Sequence, residues 1–186
     1  MVKNFMGNIR SLFKSKLFVV PLVISSVIFL LSFVSGIYLH DVLLPLVEDE
    51  IVIDNIGVGT MDILINNMTV LFVNIGLSIV TLGLYGIFAN AFNGLTLGII
   101  MGIANVKFGL NTTLLRIIPH GIFEIPVIIV STAFGFIVVG VIYRLINKRK
   151  IEFKRLLIQI GFIIVTMAIF VVIAAVIEGQ ISMNLK

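Results

Sequence analysis

Residues 17–39 run for 23 positions without a charged side chain. A helix of about 20 apolar residues crosses the ~30 Å hydrocarbon core of a bilayer. In lipid no water satisfies open backbone groups, so a chain built from such blocks must close its hydrogen bonds within helices or a barrel. Three further blocks of the same kind occupy residues 63–84, 87–106 and 156–177, and a fifth lies within 112–143. The whole chain of 186 residues is 60% apolar and only 12% charged, which excludes a water-soluble globule. The expected fold is all-α, a polytopic integral membrane bundle forming one transmembrane domain over residues 1–186.

The charges lie between the blocks. Lys3, Arg10, Lys14 and Lys16 precede the first span, and Arg144, Lys148, Arg149, Lys150, Lys154 and Arg155 occupy the stretch 144–155. With spans at 17–39, 63–84, 87–106, 126–143 and 156–177, ten of the thirteen basic residues fall on one side. The positive-inside rule makes that side cytoplasmic, so the N-terminus faces the cytoplasm and the C-terminus the outside of the cell membrane. The basic residues flank apolar blocks and are not interleaved with exposed aromatics, so the partner they imply is the lipid bilayer and not nucleic acid. Between 40 and 62 six acids, Asp41, Glu48, Asp49, Glu50, Asp54 and Asp62, stand with no basic residue. This reads as an outer aqueous loop, with residues 51–59 open to a short strand and turn or an interfacial dip.

Chemistry is limited by what is missing. Without cysteine there is no thiol nucleophile, thiolate zinc site or iron–sulfur cluster, and two histidines do not make a three-imidazole metal centre. His120-x-x-x-Glu124 is not a zinc-peptidase motif, and neither Gly-x-Ser-x-Gly nor a phosphate-binding loop occurs. No catalytic residue, metal or cofactor is expected.

Three polar or small-residue patterns remain. Asn90, Gly94, Gly98 and Gly102 recur every four residues and make one stripe, the pattern that lets a second helix backbone approach closely. The simplest partner is the second span, with a homodimer seam as the alternative. Asn66, Asn67, Asn74, Asn93 and Asn105 suit interhelical hydrogen bonds or a polar path. Around Pro119-His120-Gly121 and Pro126 the spacing predicts a break, with a half-helix over 112–118 and a spanning helix from about 126, because proline lacks a donor and clashes with the preceding turn. His120 and Glu124, four apart, form a candidate pair with Arg116 one turn back, and they either tie the broken backbone or handle a ligand or protons.

The segment Pro119 to Pro126, read P-H-G-I-F-E-I-P, with Asn93-Gly94-x-x-x-Gly98 and Asn66-Asn67, resembles the stage II sporulation protein M family. The matching positions are Asn67, Asn93, Gly94, Gly98, Pro119, His120, Gly121 and Glu124. The resemblance implies a polytopic protein of the cell membrane. In endospore formers such a protein joins a peptidoglycan-degrading machine, and small members accompany ATP-binding proteins in export of, or protection against, circular bacteriocins. Two functions follow as expectations: a non-catalytic scaffold with a lytic-enzyme complex as partner, or the membrane subunit of an ATPase-driven export system. A homo-oligomer fits either.

Overall fold

A computed structural model describes residues 16–47, 59–148 and 150–184. They form five helices: α1 (Lys16–Val47), α2 (Thr60–Val80), α3 (Leu84–Phe108), α4 (Leu110–Ile146) and α5 (Phe153–Asn184). Each is long and apolar enough to cross a membrane, and no strand occurs among the described residues. Several hydroxyls inside them turn back onto their own helices: Ser26 donates to Leu22 O at 2.8 Å and Thr69 to Ile65 O at 2.7 Å. This satisfies a polar side chain where lipid offers no partner.

The half-helix does not form. α4 runs unbroken through Pro119 and Pro126 over 37 residues, ~55 Å at about 1.5 Å per residue. Each proline removes one backbone donor, whereas a break would strip several donors and acceptors at a depth without water, so the helix continues. Gly121 is buried, yet a Cβ there would meet only Ile125 Cδ1 at 3.7 Å and Ile117 Cγ2 at 3.9 Å, ordinary contacts. The acidic stretch is also more helical at its ends than expected, since α1 continues through His40 and Asp41 to Val47 and α2 begins at Thr60. Its centre, with Glu48, Asp49, Glu50, Asp54 and the strand-or-turn question over 51–58, lies outside the described residues, as do Lys3, Arg10, Lys14 and Arg149.

α4 is the hub and packs against α1, α2, α3 and α5. The apolar core joins Phe18 of α1, Leu71 and Ile75 of α2, Val127, Phe134 and Ile137 of α4, and Ile163, Met167 and Val171 of α5. No α3 side chain belongs to it, because α3 buries glycines and Asn90 instead.

Of these, Asn90, Gly94, Gly98 and Gly102 face α1, not the second span. An added Cβ on Gly94 would sit 2.7 Å from Phe29 O, one on Gly98 would strike Phe33 O and lie 3.0 Å from Gly36 Cα, and one on Gly102 would enter the His40 ring. Asn90 Nδ2 donates to Ser25 O at 2.7 Å at the head of the same seam. Paired numbers rise together from Ser25/Asn90 to His40/Gly102, so α1 and α3 run parallel. Close backbone approach gives the van der Waals contact that holds helices together in lipid.

The α2–α3 connection falls at Thr81–Gly83, ahead of residues 85–86, which separate the expected spans 63–84 and 87–106. Gly83 takes φ +96°, a left-handed conformation open to glycine, and its N–H bonds Ser78 O at 2.7 Å. Gly86 instead lies inside α3, where its carbonyl accepts from Thr132 Oγ1 at 3.2 Å. The turn presses on α4 at Gly135, where a Cβ would overlap Gly83 and Ser78 O.

Candidate functional site

Parallel packing of α2 and α4 sets residues 57 apart at one level, and two polar pairs result. Asn67 Nδ2 donates to Glu124 Oε1, and Asn74 Nδ2 donates to Ser131 Oγ at 2.6 Å. Ser131 Oγ in turn donates to Ile128 O at 2.9 Å, and Ser78 Oγ reaches Asn74 Oδ1 at 3.3 Å. Between these pairs lies a cavity of about 160 Å³ lined by Asn66, Asn67, Asn74, Asn93, Glu124 and Ser131, with Leu71, Val127 and Val171 among the apolar walls. A water needs only ~10–15 Å³ of such volume, so the cavity has room for several waters or a small ligand.

A second recess of about 450 Å³ opens between α2 and α3 and shares Val70, Asn74 and Asn93 with the first. Its other walls include Thr69, Val73, Tyr85, Phe88 and Phe92. Phe88 and Phe92 stack with centroids 6.4 Å apart and are 69% and 59% exposed. The polar cavity therefore adjoins a lateral cleft with an aromatic rim and amides at its floor.

The expected polar cluster is redistributed. Glu124, Asn67 and Asn93 meet at the cavity, joined by Asn66 and Asn74, but no hydrogen bond or ion pair links His120 to Glu124. The parallel α2 helix brings the Asn67 amide level with Glu124, and that amide takes the carboxylate. His120 Nδ1 and Arg116 Nε are buried without hydrogen-bond partners. The Arg116 guanidinium lies 4.7 Å from the Phe108 ring centroid, a cation–π contact at the α3–α4 corner and not a counter-ion for Glu124. Pro119 and Pro126 are helical positions, with Pro126 against a small apolar cavity beside Phe18, Phe162 and Met167. Asn90, Gly94, Gly98 and Gly102 form the α1–α3 seam and do not line the site. Asn105 is exposed near the end of α3.

Sequence reasoning missed Ser131, Ser78 and Glu178. Ser131 lies two turns after Glu124 on one face of α4, a spacing that could have flagged it. Glu178 of α5 is an electrostatic neighbour of Glu124, and no periodicity links residues so far apart.

These features define a class: a polytopic membrane protein whose described residues form five helices around a polar cavity. The model of the Stage II sporulation protein M family matches residues 25–183. The chain belongs to that family. It is 33% identical over 122 residues to the uncharacterized protein MJ0793 of Methanocaldococcus jannaschii, covering 63% of this chain and 67% of that one. It is 29% identical over 126 residues to the uncharacterized protein MJ0706 of the same organism, covering 64% of this chain and 54% of that one, so it spans about half the length of the latter. No solved structure matches.

Proposed function

We propose that the protein is a non-catalytic assembly subunit of a membrane complex, holding a partner's transmembrane helix in the cleft between α2 and α3. The supporting observation is the cleft itself. Helices associate in lipid through shape and interhelical hydrogen bonds, and here an apolar groove of about 450 Å³ has Asn74 and Asn93 in its floor and Phe88 and Phe92 on its rim. Exposed Asn66 stands beside it, a polar group that open lipid does not satisfy. The protein sits in the cell membrane with its N-terminus and residues 144–155 in the cytoplasm, an orientation supported by the basic-residue asymmetry. Family context makes a peptidoglycan-remodelling complex the first partner class.

A second reading rests on the polar cavity. A carboxylate at bilayer depth suits a translocation path, and the basic stretch 144–155 would then dock an ATP-binding subunit. A photo-crosslinking residue at Phe88, compared in native membranes with one at exposed Val165 of α5, tests the assembly reading. A specific protein adduct from position 88 alone is expected. Identical adducts from both positions, or none from either, would refute it, and an ATP-binding protein as the adduct would favour the second reading.

A further inference from the structure

The cavity between α2, α3, α4 and α5 has an unequal supply of donors and acceptors. Each of its four asparagines directs the side-chain nitrogen at a protein oxygen: Asn67 at Glu124 Oε1, Asn74 at Ser131 Oγ, Asn93 at Ala89 O at 2.7 Å, and Asn66 at Asn67 Oδ1 at 3.5 Å. The Ser131 hydroxyl hydrogen goes to Ile128 O. Among the described residues, Glu124 Oε2, Asn66 Oδ1 and Asn93 Oδ1 accept no hydrogen bond. Each amide nitrogen keeps one further hydrogen, while the carboxylate and the amide oxygens keep most of their lone pairs, so the cavity holds more free acceptors than donors and one carboxylate.

A carboxylate and amide oxygens of this kind can replace the hydration shell of a hard cation, as rings of carbonyls do in channels and unwound helices do in transporters. The carboxylate also needs an answer. The ion pairs among the described residues are His40–Asp41 and Arg155–Glu152, so no basic side chain neutralises Glu124. Its charged neighbour is another acid, Glu178, which makes the local potential more favourable to a cation. Glu178 does not line the cavity, so ionised Glu124 is the one negative charge its lining can carry. A single positive charge balances it, whereas a divalent ion would leave a net charge where desolvation is expensive.

We infer that this cavity binds one small monovalent cation, held by Glu124 and the side-chain oxygens of Asn66 and Asn93, with Asn67 and Ser131 fixing the geometry around it. The site goes beyond the assembly role and stands whether or not a partner occupies the lateral cleft.

Thermal unfolding of the purified full-length protein in detergent, followed by circular dichroism at pH 8, tests the site. NaCl, KCl and NH4Cl are titrated against choline chloride at constant ionic strength, which separates alkali ions from ammonium. A saturable rise in melting temperature with at least one of the three, absent with choline, is expected. The midpoint should move at least tenfold higher in Asn93→Ala, and the rise should vanish in Glu124→Gln. Flat curves with all three salts, stabilisation by CaCl2 alone, stabilisation only on acidifying the choline sample, or an unchanged response in Glu124→Gln would each overturn the inference. Should Glu124→Gln fail to fold, Asn93→Ala and Asn66→Ala decide it, since unshifted midpoints in both would overturn it equally.

Discussion

Replacing Gly98 by alanine tests the α1–α3 seam with the smallest possible insertion. The added methyl would overlap Phe33 O and lie 3.0 Å from both Gly36 Cα and Ile37 N, all backbone atoms that cannot rotate away. Ordinary contact needs about 3.5–4.0 Å, so the two helices must separate by several tenths of an ångström or more along a seam that also holds Gly94, Gly102 and the Asn90–Ser25 bond. A radial gap of 0.5–1 Å forfeits roughly a quarter to a half of each contact's attraction, and overpacking costs about 1–3 kcal/mol. Helix propensity works the other way, since alanine gains about 1 kcal/mol over glycine in a helix interior. The net expectation is a loss of up to about 2 kcal/mol, or roughly 4–8 °C in melting temperature for a chain of this size. Gly76 in α2 and Gly161 in α5 are internal controls, because a Cβ at either meets nothing within 4 Å. Alanine there should be neutral or stabilising. Circular dichroism melts of the three variants in one detergent make the comparison. If Gly98→Ala melts no lower than Gly76→Ala and Gly161→Ala, the close-packing argument is wrong.

Gly135→Ala should destabilise by about 1–3 kcal/mol, because its methyl would collide with Gly83 and Ser78 O in the α2–α3 turn, and a proteolysis assay should find the turn newly cleavable. Glu124→Gln keeps an acceptor for Asn67 and should preserve the yield of monodisperse protein, while Glu124→Ala strands the amide at a cost of about 1–3 kcal/mol and should lower it; equal yields would show that the bond does not matter. In this cysteine-free chain, cysteines introduced at Ser15 and Asn147 should resist an impermeant thiol reagent in intact cells and those at Asn55 and Asn184 should label. Labelling at Asn147 would reverse the orientation.

The spans were legible because lipid imposes one strong rule, an apolar run of sufficient length, and each of the five described helices contains one. The same rule explains the main failure. Proline at 119 and 126 signals a break in water, where freed groups are solvated, but within a bilayer continuation costs less than interruption. The glycine stripe was legible as a seam and misassigned in its partner, since α2 and α3 are joined by three residues while the smooth face of α3 turns to α1. Chain proximity carried no information about that rotation. Glu124 and Asn67 stood out as polar groups in apolar blocks. Their bond did not, because its 57-residue separation depends on how α2 and α4 align, and Ser131 was one hydroxyl among many.

The hub position of α4 also constrains how the protein is made. α2 leaves the ribosome with Asn67 and Asn74 already set in an apolar helix, and their partners Glu124 and Ser131 follow 57 residues later. At about 5–20 residues per second the delay is roughly 3–11 s. During that interval two amides built for the interior have no α4 to meet, and only the short α2–α3 hairpin can shelter them. Biogenesis therefore contains an obligatory waiting step, and a translational pause placed before α4 would lengthen the exposure of α2 to insertion errors and quality-control proteases.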